Sequence, residues 1–305
     1  MSLINGKPLE KLIEVISQGV GKLYTPRAMR KEADAEAYKI EVVERAKIKA
    51  AAEGKLVELQ LYETIQQRLI HQETNKQKSI DNIIEVAAEQ IKLQETVSEE
   101  KVDPDWTTRF FNISEDISND EMQKLWGRIL AGEVKQPGTF SLRTLETLKN
   151  LTKEEAEVFS RFAQFKVKST NTSFVPYKNE SELEAFNIKY VDIFLLTELG
   201  LISSESTLGF FLKGSEEEQS QLYRIGEMGL NVITSPNIEG SYIRIIAFTK
   251  TGIELSSLIS IENNPEYIKY VCNALTTAYT KIVVGTIAEF DDNQIKLLNP
   301  LEYKK

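Results

Sequence analysis

Ser118-Asn119-Asp120-Glu121-Met122-Gln123-Lys124-Leu125-Trp126-Gly127-Arg128-Ile129-Leu130-Ala131-Gly132 reads as one complete helix, with a start, a sided body and a stop. Ser118 and Glu121 match a capping box, in which the two side chains satisfy each other's free backbone N–H groups. Met122, Leu125, Trp126, Ile129 and Leu130 recur at three- and four-residue steps and make one apolar face. Gly132 is the expected stop. The neighbouring segments follow suit. Asp103-Pro104-Asp105 opens a helix carrying Trp106, Phe110 and Phe111. After a Pro137-Gly138 turn, Leu142, Leu145, Leu148 and Leu151 predict a short helix. Thr152-Lys153-Glu154-Glu155 is another capping box, ahead of Val158, Phe159, Phe162 and Phe165. Both tryptophans fall in this stretch, so the best-packed core is expected here.

Toward the N-terminus the pattern lengthens. From Arg27 to about Gln94 the chain is rich in Ala, Glu, Lys and Gln, has no proline, and holds one glycine, Gly54. That composition predicts one or two long helices. Ala33, Ala37, Ile40 and Val43 give a narrow stripe, Leu59, Tyr62 and Leu69 continue it weakly, and Ile80, Ile83, Ile84, Ala87 and Ile91 form a better one. A stripe this narrow is closer to a coiled-coil seam than to a globular face. The polar residues 71–78 are read as a break or hairpin. An uninterrupted helix would extend about 90 Å and would not be stable alone in water, so self-association or a fold-back is expected.

Residues 8–24 form a separate amphipathic helix in this reading. Pro8 suits the first turn, and Leu9, Leu12, Ile13, Ile16, Val20 and Leu23 lie along one face. Residues 1–31 carry six cations, Lys7, Lys11, Lys22, Arg27, Arg30 and Lys31, against two glutamates. Such a helix suits a partner or a membrane interface, where anionic lipid adds about 1 kcal/mol per Lys or Arg. The candidate face is Leu9, Leu12, Ile13, Ile16, Val20 and Leu23 with Lys11, Lys22, Arg27, Arg30 and Lys31.

Toward the C-terminus helices give way to strands. Ser181 to Glu184 is read as a third capping box, and a helix over Val191–Leu199 closes at Gly200. Strands are expected at Leu208–Leu212, Gln221–Ile225, Leu230–Thr234, Tyr242–Phe248 and Lys281–Phe290. Helices are expected from Thr249 and from Asn264-Pro265 to about Tyr279. A hinge is expected near Thr96–Pro104, in an acidic, turn-rich segment.

Composition narrows the function classes. The chain has 305 residues, 41% hydrophobic and 27% charged, as a globular protein requires. A net charge of −9 argues against a broad nucleic-acid footprint. One cysteine excludes an intramolecular disulfide framework and suits a reducing compartment. Neither a signal peptide nor a run of about 20 apolar residues is found, so a cytoplasmic protein is expected.

Residues suited to catalysis are scarce. His71, the single histidine, sits in a polar stretch and is read as a solvated surface residue. Cys272 shares a helix with Val271 and Leu275 and is read as a small buried hydrophobe. Thiolate or imidazole metal binding fails on numbers. Carboxylates cluster at Glu115-Asp116, Asp120-Glu121, Glu154-Glu155, Glu216-Glu217-Glu218 and Asp291-Asp292. Two of these clusters serve capping boxes, and adjacent carboxylates diverge on a helix or strand. None of the isolated glycines makes a phosphate-binding fingerprint. No catalytic residue, metal ligand or cofactor is therefore assigned.

Two resemblances add to this. Leu196-Thr197-Glu198-Leu199-Gly200-Leu201-Ile202, followed by strands and then Phe248-Thr249-Lys250-Thr251-Gly252-Ile253-Glu254-Leu255, resembles the winged-helix proteins, in which a helix closes on glycine, a β-wing follows, and a Thr-x-x-Gly turn starts the next helix. The stretch between is longer than a usual wing. Its candidate recognition helix, Asn187 to Leu199, offers Lys189 beside Asp192 and Glu198, a poor set for reading base edges. Separately, Trp126 to Glu133, Pro137-Gly138-Thr139-Phe140-Ser141, Leu145 through Glu155 and Gly19 to Arg27 resemble a bacterial family, domain of unknown function 2806. They are similar, more loosely, to abortive-infection phage-defence proteins. The family brings no catalytic residues.

The expected fold is mainly α with a smaller α+β part: long coiled-coil-like helices over 1–98, a helical core over 99–166 and a winged-helix-like domain over 167–305. The expected function is that of a non-enzymatic, homo-oligomerising bacterial interaction protein, a defence or stress effector. Its N-terminal helices would engage a protein partner or, peripherally, the inner membrane. A nucleic-acid-binding regulator and a carboxylate/divalent-metal enzyme are the alternatives.

Overall fold

The computed structural model describes residues 7–20, 56–94, 96–170, 172–177, 180–205, 209–212, 216–236, 241–277, 280–291 and 294–304. The chain divides into two compact units, Met1–Leu145 and Glu146–Lys305. It is a mixed α and β protein, with helices and no strand among the described residues of the first unit and an antiparallel sheet in the second.

The first unit is built from α1 (Lys7–Val20), α2 (Leu56–Lys92), α3 (Pro104–Ser114) and α4 (Asp120–Lys135); the boundary falls within α5 (Leu142–Asn150). Its core is formed by Ile83, Ile91, Phe110, Trp126, Ile129, Leu130 and Val134, all fully buried. Trp106 stacks on Phe110 with ring centroids 5.0 Å apart, and Phe110 meets Trp126 at 5.3 Å. Burying each such large side chain contributes about 1.5–3 kcal/mol. Gly127 lets α4 approach α2 closely, because a Cβ there would lie 2.6 Å from Val86 and 2.9 Å from the Ile83 carbonyl oxygen.

Several helix boundaries differ from the sequence reading. Residues 71–78 do not break α2. No proline or glycine interrupts Leu56–Lys92, and polar pairs one turn apart run along it, His71 with Asn75 at 3.0 Å and Gln77 with Asp81 at 2.9 Å. The cap of α4 is Asn119, whose side chain accepts the Met122 N–H; Glu121 turns instead to Lys124. Gly132 does not end α4, which continues to Lys135, because the missing side chain admits the Phe140 ring. The expected hinge is pinned at Ser98, whose N–H donates to the Lys135 carbonyl and whose carbonyl accepts from Lys11 Nζ.

The second unit contains α6 (Lys153–Ala163), α7 (Glu180–Glu184), α8 (Tyr190–Glu198), α9 (Lys250–Ser256) and α10 (Pro265–Leu275). Its strands are β1 (Val167–Lys168), β2 (Ser173–Pro176), β3 (Ile202–Ser203), β4 (Gly209–Leu212), β5 (Gln219–Ile225), β6 (Met228–Thr234), β7 (Ser241–Phe248), β8 (Thr280–Asp291) and β9 (Gln294–Glu302). They pair antiparallel in the order β3-β7-β2-β1-β5-β6-β8-β9, with β4 also on β7. One sheet face carries Val167, Phe174, Tyr223, Leu230 and Val232, packed with Tyr267, Val271 and Leu275 of α10. On the alternate face Phe248 meets Phe159 and Phe162 of α6.

Thr152 and Glu155 form the expected capping box of α6, with both reciprocal bonds present. α7 begins at Glu180, one residue ahead of the expected cap Ser181. The long stretch between β4 and β7 holds the β5–β6 hairpin, which joins the sheet beyond β1 and does not extend a wing.

Candidate functional site

The residues singled out on α1 point largely inward. Leu12, Val15 and Ile16 are buried within the first unit, Leu9 and Val20 are half-buried, and Ile13 is exposed. Gly19 brings α1 onto α3, since a Cβ there would lie 2.1 Å from the Phe111 ring. Lys11 Nζ donates to the Ser98 carbonyl at 2.7 Å. Burial holds the Lys11 ammonium below its ordinary pKa, against an opposing pull from Glu100, Glu14, Glu99 and Glu133. Lys22, Leu23, Arg27, Arg30 and Lys31 lie outside the described residues. A groove of about 450 Å³ runs beside α1, where Lys7, Lys11 and Lys101 stand among Glu10, Glu14, Glu99 and Glu100. That mixture presents no single sign to a ligand.

The motif from Trp126 to Ser141 is a structural latch. Glu133 is buried, and its two carboxylate oxygens accept the backbone N–H groups of Gly138 at 2.6 Å and Phe140 at 2.9 Å. Gly138 takes the left-handed conformation that the turn needs, with φ 81°. The Phe140 carbonyl in turn accepts the Trp106 indole N–H at 2.7 Å. Trp106, Glu133 and Phe140 thus tie α3 and α4 to the turn before α5.

The candidate chemical groups are dispersed. His71 is exposed. Cys272 is fully buried, and burial pushes its thiol up to about 12, far from the thiolate a nucleophile needs. Glu115 pairs with Lys76 at 2.6 Å, and Glu121 with Lys124 at 2.7 Å. Among the described residues no group of three or more His, Cys, Asp or Glu side chains could hold a metal ion. Among them, too, no helix is long and apolar enough to cross a membrane.

One perturbed cation escapes a sequence reading. Lys166 Nζ donates to the Ser256 carbonyl at 3.1 Å and to its hydroxyl at 3.0 Å, at the end of α9. Burial, with Lys168 and Arg224 nearby, pushes it down to about 8. Nothing local in Phe165-Lys166-Val167 announces this, because the partner is 90 residues away.

Two helical faces stand bare. On α2 the face buried at Ile80, Ile83, Ala87 and Ile91 continues outward as Leu61, Tyr62, Ile65 and Leu69, which are 37–62% exposed. On α8 the inner side buries Ile193 and Leu196, while Tyr190, Val191 and Phe194 on the outer side are 63%, 65% and 63% exposed. Its cations are few, and its informative feature is the apolar run Tyr190-Val191 with Phe194 on the outer side.

Fold and motif together define a two-unit α and β protein whose most distinctive motif is a latch and whose bare surfaces are apolar helical faces. The chain belongs to the DUF2806 family, described as proteins of unknown function, whose family model matches residues 63–272. The match runs from within α2 to within α10; Gly19–Arg27 lies outside it. No curated protein and no solved structure matches the chain.

Proposed function

We propose that this is a cytoplasmic, non-enzymatic interaction protein, and that the outward face of α8 is its principal contact surface. The observation that carries this reading is the exposure of Tyr190, Val191 and Phe194 together on one face of a nine-residue helix. Large apolar side chains grouped on an exposed helix face ask for a protein to cover them. In this reading α8, β3, β4, β7 and α9 make a winged-helix-like scaffold with the β5–β6 hairpin inserted. Where a DNA-reading helix would present Arg, Lys, Asn or Gln, α8 presents an aromatic-rich patch. The bare stripe of α2 is a second, coiled-coil-like surface of the same kind.

Duplex DNA of mixed sequence, titrated with the full chain between 50 and 300 mM salt, tests the choice. No binding is expected. Binding that weakens steeply with salt, and is lost in Lys189→Glu, would place the helix on phosphate and overturn the proposal. In the same reading the protein is a defence effector. Phage challenge of bacteria expressing the full chain or Phe194→Glu is expected to show protection that depends on Phe194, and no protection by the full chain would remove the defence role.

A further inference from the structure

We infer that the outward face of α8 docks on the same face of a second copy of this chain, the two helices running antiparallel about a two-fold axis near Phe194. This inference rests on the reading of α8 as a protein-contact surface and names its partner.

Three properties of α8 converge. The first is the patch itself. Tyr190, Val191 and Phe194 lie within one helical turn of each other on the outer side, and none of them packs into the interior. The second is charge. Lys189, just before the helix, and Glu198, its last residue, are both exposed. They stand at equal distances on either side of a point between Ile193 and Phe194. Along the helix axis an antiparallel copy therefore brings each Lys189 level with the Glu198 of its mate, twice over, as a two-fold interface requires.

The third is the helix dipole. A lysine at the N-terminal end and a glutamate at the C-terminal end both oppose the field of their own helix. An antiparallel partner reverses that relationship. Each Lys189 then approaches the negative end of the neighbouring helix, and each Glu198 the positive end. Charges unfavourable in the single chain become favourable in the pair. A lipid surface or a nucleic acid would satisfy only one of the two signs.

The patch is small. Three large side chains and two charges cover only part of the about 800 Å² per partner buried in a standard interface. The dimer is accordingly weak and concentration-dependent.

The test uses sedimentation velocity of the full chain over a concentration series, with substitutions at the patch. Wild type is expected to shift from monomer to dimer as concentration rises, and Phe194→Glu to remain monomeric with an unchanged melting temperature. Lys189→Glu and Glu198→Lys should each weaken the dimer several-fold, and the double variant should restore it to within about twofold of wild type, as complementary charges predict. Phe194→Cys should be captured as a covalent dimer by a short bismaleimide, the native Cys272 being buried.

A dimer that ignores Phe194→Glu overturns this interface. So does a chain that stays monomeric at its highest soluble concentration. Single charge variants that the double variant fails to rescue overturn the antiparallel geometry. If the chain is monomeric and also fails to bind DNA, the second-copy inference falls while the protein-contact reading stands. DNA binding through Lys189 removes both.

Discussion

The carbonyl oxygen of Leu201 lies 2.0 Å from where a Cβ on Gly252 would stand, so the exit of α8 and the first turn of α9 meet backbone to backbone. Gly200, with φ 68°, ends α8, and the Leu201 N–H returns to the Leu196 carbonyl. The Thr249 N–H donates to the Leu201 carbonyl at 3.0 Å. Its hydroxyl donates to the Gly200 carbonyl at 2.7 Å and accepts the Gly252 N–H at 3.1 Å. Two short motifs far apart in sequence therefore close a single turn.

Gly252→Ala is expected to cost about 2–3 kcal/mol, because the obstacle is a backbone carbonyl that cannot rotate away. Gly200→Ala meets no neighbour within 4 Å and pays only for its positive φ, about 1 kcal/mol. Urea midpoints compare the two. A harmless Gly252→Ala would show that α9 is free to shift, and that the contact does not position α8.

The inward turn of α1 gives a contrast between neighbours. Ile16 is 1% exposed and Ile13 is 37% exposed. Ile16→Asp buries an unpaired carboxylate and should cost about 3 kcal/mol or more, whereas Ile13→Asp should stay within about 0.5 kcal/mol of wild type. Because Leu12, Val15 and Ile16 already face protein, the full chain should stay at the bottom of a flotation gradient with anionic liposomes. Flotation that survives Ile16→Asp but not Ile13→Asp would show α1 acting from the outside.

How much of this was legible follows from the range of each interaction. Asp103, Thr152, Thr249 and Asn264 were readable as helix starts because a cap is satisfied within three residues. Strands β4 to β8 were readable from runs of β-branched and aromatic residues. β1, β2 and β3, two to four residues long, were not, since they exist only through partners such as Phe174 with Ala247 and Ile202 with Phe248. β9 was missed because Asn299 and Pro300 interrupt its pattern. Gly132 misled for a related reason: its purpose is to admit Phe140, eight residues on, not to end a helix. The sidedness of α1 was visible in sequence, but which body would cover that side was not, because amphipathic periodicity is the same for a self-packing helix and for one lying in an interface.

The latch at Glu133 predicts a graded response. Glu133→Ala leaves the N–H groups of Gly138 and Phe140 without their acceptor, at about 1–3 kcal/mol for a buried orphan, and opens the turn that holds Trp106. Glu133→Gln keeps the shape and one acceptor oxygen, and should lose less. Urea midpoints rank the two, and tryptophan fluorescence reports on the core that Trp106 and Trp126 share through Phe110. Equal losses from both variants would mean the negative charge, not the pair of hydrogen bonds, holds the turn.

Lys166 predicts how stability moves with pH. Burial lowers its folded-state pKa to about 8 from an ordinary 10.5, so between those values the unfolded chain holds a proton that the folded chain has released. The Lys166 contribution therefore rises with pH across that window and is flat below it, where both states are protonated. At 1.36 kcal/mol per pKa unit, the rise that Lys166 contributes between pH 8 and pH 10 is on the order of 1–2 kcal/mol. The buried Cys272 thiol and Tyr223 phenol, each raised to about 12 by burial, work the other way. From about pH 9 for the thiol and about pH 10 for the phenol, the folded chain keeps a proton that the unfolded chain loses, and stability falls. Lys166→Met removes the ammonium and with it the rise, while the descending limb remains. It also forfeits the bonds to Ser256, so at pH 7 the two losses oppose each other. Urea midpoints at pH 7, 8.5 and 9.5 separate them. A rise between pH 8 and pH 9 that persists in Lys166→Met would assign the titration to another group, and the lysine at the end of α9 would then be an ordinary charged cap.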